Sequence, residues 1–139
     1  MQTFLPSPDF AQSAKWLDRM RLGKQRVETW QIIQALTVPG YGWKNHPATK
    51  MWQGHVPALA EYGTAICEEW RSRGYKDTLL PKFQALTNHD GTRPHWIGDE
   101  RVHSSHRSRL LEKLPDWYSR WNWNESPGQT YFWPTSGGK

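Results

Sequence analysis

Apolar residues recur at helical spacing in two long stretches of the chain. In the first, Leu17, Met20, Val27, Trp30, Ile33 and Leu36 predict a helical region from Pro8 to Leu36. Ser7 is placed to cap it, with Pro8 at the first helical position. Gly23 sits inside the pattern, at a cost of about 1 kcal/mol against Ala, and a break or bend fits between Phe10 and Gly23. In the second stretch, Trp52, Val56, Leu59, Gly63, Ile66 and Trp70 predict one face of a helix that starts at Asn45-His46-Pro47 and ends at Gly74. Pro57 inside it predicts a kink, or a boundary between two shorter helices. Pro39, Gly40 and Gly42 make Thr37 to Trp43 a loop. Thr78 to Arg101 is irregular, with an exposed turn-rich loop from Asn88 to Pro94. A third helix fits Ser104 to Leu114, stopped by Pro115, and a short turn follows at Asp116 to Trp121. Tyr131-Phe132-Trp133-Pro134 reads as an extended aromatic strap over the core. No hairpin signal appears. The expected fold is all-α: a single compact domain over residues 1–134, about three main helices joined by irregular aromatic-rich connections, and a flexible tail at 135–139.

Composition sharpens this picture. The chain has 139 residues, of which ten are Trp, five Tyr and four Phe. A few large side chains must therefore fill the core, with Trp30, Trp52 and Trp70 on inward faces, since each aromatic buries roughly 150–250 Å². The single cysteine, Cys67, excludes a disulfide-stapled scaffold and reads as inert packing. No apolar run approaches a membrane span and no leader pattern is visible, so a cytoplasmic protein is expected. Eighteen Lys and Arg against 13 Asp and Glu leave a formal charge of +5, which points toward a polyanionic partner.

The densest run of chemistry is Leu17 to Gln31. On a helix, Arg21, Lys24, Glu28 and Gln31 share one face, so one stripe carries two cations, a carboxylate and an amide. Gly23 beside it would let a backbone or a ligand approach closely. The plainer alternative is a solvated face with a Lys24–Glu28 pair, in the less favourable order. His103 and His106 lie one turn apart, followed by Arg107. No Cys or carboxylate cluster completes a metal site there, and phosphate contact or capping fits better. His46 suits a turn residue hydrogen-bonded to backbone. No phosphate-cradling glycine loop, nucleophile elbow or Cys/His nucleophile pattern is present, which removes kinase, Rossmann and hydrolase readings.

Three stretches resemble one family. Leu17-Asp18-Arg19, with Glu28 ten residues after Asp18, is similar to the Leu-Asp-Arg that precedes a catalytic Glu at the same interval. Gly42-Trp43-Lys44-Asn45-His46-Pro47 is similar to a Gly-Tyr-Arg-Asn-His-Pro at the matching separation. Arg73 to Thr78 and Arg109 to Tyr118 have looser counterparts. On these residues the chain resembles the pyrimidine-dimer DNA glycosylase/AP-lyase family, the small phage endonuclease V type and its bacterial relatives.

The resemblance implies an all-α domain that binds double-stranded DNA in a bent form and removes a damaged or modified base through an amine nucleophile without metal or cofactor; a monomer is expected. It implies an imine intermediate, then β-elimination of the strand. Glu28 matches the catalytic Glu, which stabilises the cationic sugar and moves protons. The family's nucleophile is a terminal α-amine on a small residue. Here residue 2 is Gln, so the amine would belong to Met1, with an ordinary pKa near ~7.7–8.0. Lys24, one turn from Glu28, competes for the role. Val27 stands where the family usually has Arg. Candidate DNA contacts are Arg21, Arg26, Gln31, Lys44, Asn45, His46, His103, His106 and Arg107, with Trp43 as a wedge for the space vacated by an extruded nucleotide. The alternative is a non-catalytic DNA-binding module that keeps the fold.

Overall fold

The computed structural model describes residues 2–88 and 90–134. Within them the chain folds into seven α-helices and one 3-10 turn, with no strand. The helices are α1 (Phe10–Trp16), α2 (Arg19–Thr37), α3 (Pro47–Lys50), α4 (Val56–Ser72), α5 (Leu80–Gln84), α6 (Glu100–Lys113) and α7 (Pro115–Tyr118). The expected all-α class is what the structure has. Met1 and the tail at 135–139 lie outside the described residues. Among the described residues, no helix is long and apolar enough to cross a membrane.

The first helical stretch is two helices. Asp9, rather than Ser7, caps α1 by accepting the Gln12 N–H, and α1 stops at an extended Leu17. Asp18 then caps α2 by accepting the Arg21 N–H. The second stretch also divides: α3 is capped by the His46 ring, and Pro57 sits in the first turn of α4, where its missing N–H leaves no intrahelical bond unmade. The third helix begins four residues earlier than expected, at Glu100, because Asp99 supplies the cap. The short α5 lies in the segment whose pattern is irregular.

Helix α4 is the centre of the packing, with α1, α2 and α5 laid against it. Two glycines permit the close approaches. A Cβ at Gly23 would lie 2.9 Å from the Trp70 ring, and one at Gly63 would lie 2.6 Å from the Phe83 ring. The close neighbour of Gly23 is thus an indole of the same chain. Trp52 is fully buried, while Trp30 and Trp70 are partly buried against the core.

The buried face of α2 corrects the hydrophobic pattern. Met20 is 64 % exposed and Val27 48 % exposed. The residues that face inward are Leu22, Gln25, Thr29, Ile32, Ile33 and Ala35. Two polar members of that row, Gln25 and Thr29, hide its period from a hydropathy reading.

Residues 2–6 form a buried, non-helical segment between α2, α4 and α6, and side chains supply its backbone partners. Phe4 N–H donates to Gln25 Oε1 (2.9 Å), and Leu5 N–H to His106 Nδ1 (2.9 Å). The Tyr62 hydroxyl lies between the Phe4 carbonyl (2.7 Å) and Gln25 Oε1 (2.6 Å), which share its one hydrogen. The aromatic strap closes the other edge: Phe132 N–H donates to Ser105 Oγ, and Tyr131, Phe132 and Trp133 pack against the core.

Candidate active site

Glu28 and Lys24, one turn apart on α2, line a cavity of about 270 Å³ together with Gln2, Arg21, Gln25, Arg109, Lys113 and Tyr131. Helix α2 forms one wall and the last turns of α6 the other. The buried segment before α1 brings Gln2 to its floor. Glu28 is the carboxylate of this lining; Arg21, Lys24, Arg109 and Lys113 are four cations around it. A negative group entering from solvent meets converging positive charge.

Each wall has a local cause. Asp18 holds Arg21 by an ion pair (3.2 Å) and is itself fixed by the Tyr118 hydroxyl, which donates to Asp18 Oδ1 (2.5 Å). The Leu-Asp-Arg stretch is therefore a helix start that orients a cavity cation. Arg109 stacks its guanidinium over the Tyr131 ring (5.0 Å), tying α6 to the strap. Arg109 Nε and Gln2 Nε2 are buried donors without a protein acceptor. Burial lowers the Lys113 ammonium pKa below the ordinary lysine value. Arg21, Arg109 and Lys24 push it the same way, and Glu112 opposes them.

A shallower groove runs along the other side of the same ridge. It is lined by Met20, Gly23, Lys24, Val27, Glu28, Gln31 and Trp70. Lys24 and Glu28 thus face both depressions. The expected stripe of Arg21, Lys24, Glu28 and Gln31 is real as a surface, with the exposed apolar Met20 and Val27 set beside it. Arg26 is spent differently. It pairs with the buried Asp77 (2.5 Å) under the Trp70 ring, so its charge is already matched inside the fold.

The loop before α3 carries the second group of expected contacts. Lys44 and Asn45 are exposed and line a groove with Thr49, Lys50 and Gln53. Trp43 is 51 % exposed. Its φ of 74° lies in the left-handed region, which is costly for a bulky residue. His46 accepts the Ala48 N–H at Nδ1 (3.0 Å), the turn role expected of it, and burial holds its pKa below the ordinary histidine value. A run of ring contacts links this loop to the cavity: Trp43 to His46 (5.9 Å), His46 to Trp133 (6.1 Å), Trp133 to Tyr131 (5.5 Å).

The structure buries His103 and His106 and engages Arg107 in internal ion pairs, so none of the three is a free surface side chain. Both histidines are 0 % exposed. Gly98 N–H donates to His103 Nε2, so His103 Nδ1 carries the hydrogen given to the Leu5 carbonyl (2.7 Å). Burial pushes the His106 pKa down to about 3, with the charges of His103 and Arg107 adding to it. Arg107 is bound by Glu125 (2.8 Å), by Glu100 and by the Pro6 carbonyl (2.8 Å). The i,i+3 histidines are anchors for the buried segment 2–6. Gln2, Gln25 and Lys113 carry no expected site role in the sequence, and Tyr131 is expected only as part of the strap. The available signal was the Arg109–Lys113 spacing of one helical turn, which puts two cations on one face of α6.

Residues 1–82, more than half of the chain, match the family model described as pyrimidine dimer DNA glycosylase. The matched region contains Gln2, Lys24, Gln25, Glu28 and the Trp43–His46 loop, and it ends before the α6 wall of the cavity. No curated protein and no solved structure matches the chain.

Proposed function

The chain belongs to the pyrimidine dimer DNA glycosylase family, and on that premise we propose that it removes a damaged base from duplex DNA and then cuts the strand at the abasic sugar through an amine–imine intermediate. The observation that carries this reading is the single cavity in which Glu28 lies with amine-bearing side chains and with the residue that follows Met1.

The chemistry follows from that company. An unprotonated amine attacks the sugar C1′ as the bond to the base breaks, and the bonding pair leaves with the base, which takes up a proton. The ring opens as the nitrogen forms an imine. Removal of a C2′ proton then expels the 3′ phosphate by β-elimination. Glu28 stabilises the cationic sugar in the first step and accepts the C2′ proton in the second. Arg21, Arg109 and Lys113 hold the strand's phosphates, and nearby cations favour a neutral amine. Lys24 and Lys113 line the cavity, and Met1 precedes Gln2, which also lines it. Trp43, on its strained loop, fills the space that an extruded nucleotide leaves.

Borohydride trapping on duplex DNA with one abasic site tests the reading. A covalent adduct should form with the full chain, and Glu28→Gln should abolish strand cleavage. Peptide mapping of the adduct assigns the amine to the first residue, Lys24 or Lys113. Salt-sensitive DNA binding with no adduct, and no effect of Glu28→Gln, would instead establish a non-catalytic DNA-binding module.

A further inference from the structure

Gln25 is a glutamine in the middle of a core. It is 1 % exposed on the inward face of α2. Its amide touches both Glu28 and the start of the described chain. Nε2 donates to the Gln2 carbonyl (2.7 Å) and to Glu28 Oε1 (3.2 Å). Oε1 accepts the Phe4 N–H (2.9 Å) and faces the Tyr62 hydroxyl (2.6 Å), whose one hydrogen it shares with the Phe4 carbonyl. The Phe4 N–H can only donate, so the amide has one orientation, with NH2 toward Gln2 and Glu28. Both hydrogens and both lone-pair directions of the amide are used.

A buried amide is costly unless fully hydrogen-bonded, and an apolar side chain of similar volume would fill this place on a helix without that requirement. What Gln25 adds is a fixed relation. One NH2 group sets the Glu28 carboxylate against the backbone of residue 2, and Tyr62, on α4, keeps the amide from turning. Nothing else that contacts Glu28 among the described hydrogen bonds reaches across to the segment before α1.

We propose that Gln25 is the positioning residue of this site: its amide holds the Glu28 carboxylate in register with the amino-terminal segment, so that carboxylate and reacting sugar meet in one geometry. The inference rests on the reading of Glu28 as the catalytic carboxylate. Gln25 touches no substrate and acts through Glu28.

The test uses the full chain and a duplex with one abasic site, comparing wild type, Gln25→Glu, Gln25→Met and Glu28→Gln. Binding affinity and single-turnover cleavage are measured from about pH 5.5 to 8. Both Gln25 variants should bind DNA as wild type does and cleave at least about 10-fold more slowly at neutral pH, the scale expected for a displaced catalytic group. Gln25→Glu should regain rate, relative to wild type at the same pH, as the pH falls. Two adjacent carboxylates then share one proton, which restores a donor to Glu28. Gln25→Met should show no such recovery, since it has no donor to restore.

A residue of merely structural importance would lower rate and binding together and give no acid recovery, and that result overturns the proposal. Wild-type cleavage by Gln25→Met overturns it as well. Where Gln25→Met does not fold, Tyr62→Phe, which keeps the ring and removes the hydroxyl that holds Oε1, should slow cleavage without changing affinity, and an unchanged rate overturns the proposal. If Glu28→Gln cleaves as fast as wild type, the reading of the site falls and takes this inference with it. If Glu28→Gln is inactive while Gln25→Glu and Gln25→Met match wild type, the role of Gln25 alone falls.

Discussion

His106 accepts the Leu5 N–H at Nδ1, 2.9 Å away, and the bond joins residues 101 positions apart in the buried interior. The contact needs a neutral imidazole. In the unfolded chain His106 has an ordinary pKa near ~6.5, and in the fold burial takes it down to about 3. His103, which donates to the Leu5 carbonyl, is displaced in the same direction, chiefly by burial.

The unfolded state therefore binds protons that the folded state refuses. The His106 contribution is full above about pH 6.5 and falls as the pH drops toward about 3, by up to ~1.4 kcal/mol per pH unit, and His103 acts in the same direction. Urea unfolding at pH 7.5 and at pH 4.5 should differ by about 2 kcal/mol or more. Equal midpoints at the two values would contradict the assignment of both rings as neutral anchors. Asp77 and Glu125, whose pKa values are lowered, lose their contribution only as the pH falls through and below the ordinary carboxylate range.

Tyr118 and Asp18 form a second long-range latch. The hydroxyl donates to Asp18 Oδ1 and accepts the Asp18 N–H (3.0 Å). Tyr118→Phe removes both interactions and leaves a buried cap carboxylate short of a donor. The expected cost is about 1–3 kcal/mol in chemical denaturation. A change within error would mean that water replaces the hydroxyl.

Gly23→Ala is expected to destabilise. Helix propensity favours Ala by about 1 kcal/mol. The new methyl, however, would lie 2.9 Å from Trp70. That ring has little room to retreat, since it stacks on Tyr75 (4.3 Å) and donates its N–H to the Lys76 carbonyl (2.9 Å). A rise in melting temperature would show that the α2–α4 approach is looser than its geometry.

Trp43 separates stability from activity. With φ at 74°, Trp43→Gly relieves backbone strain and removes a half-exposed ring. Folding stability should hold or rise by up to about 1 kcal/mol. Cleavage of an intact lesion duplex should fall more than cleavage of a preformed abasic site. Equal losses on both substrates would remove Trp43 from the extrusion step.

Helix existence was legible in the chain, because apolar residues three and four apart, with Pro57 and Pro115 as breaks, leave few alternatives to packed helices. The stripe of Arg21, Lys24, Glu28 and Gln31 was legible for the same reason: backbone geometry alone puts those residues on one face. Which face of α2 turns inward was not. Gln25 is buried because partners from residues 2–4 and from α4 satisfy its amide, and hydropathy is blind to partners distant in sequence. The same applies to His103 and His106, whose spacing fits a surface site as well as it fits an anchor, until a buried segment nearly a hundred residues away claims them. The cavity itself belongs to tertiary structure. Its carboxylate comes from α2, two of its cations from α6 and its floor from the first residues, and only tertiary packing brings those three distant pieces around one cavity.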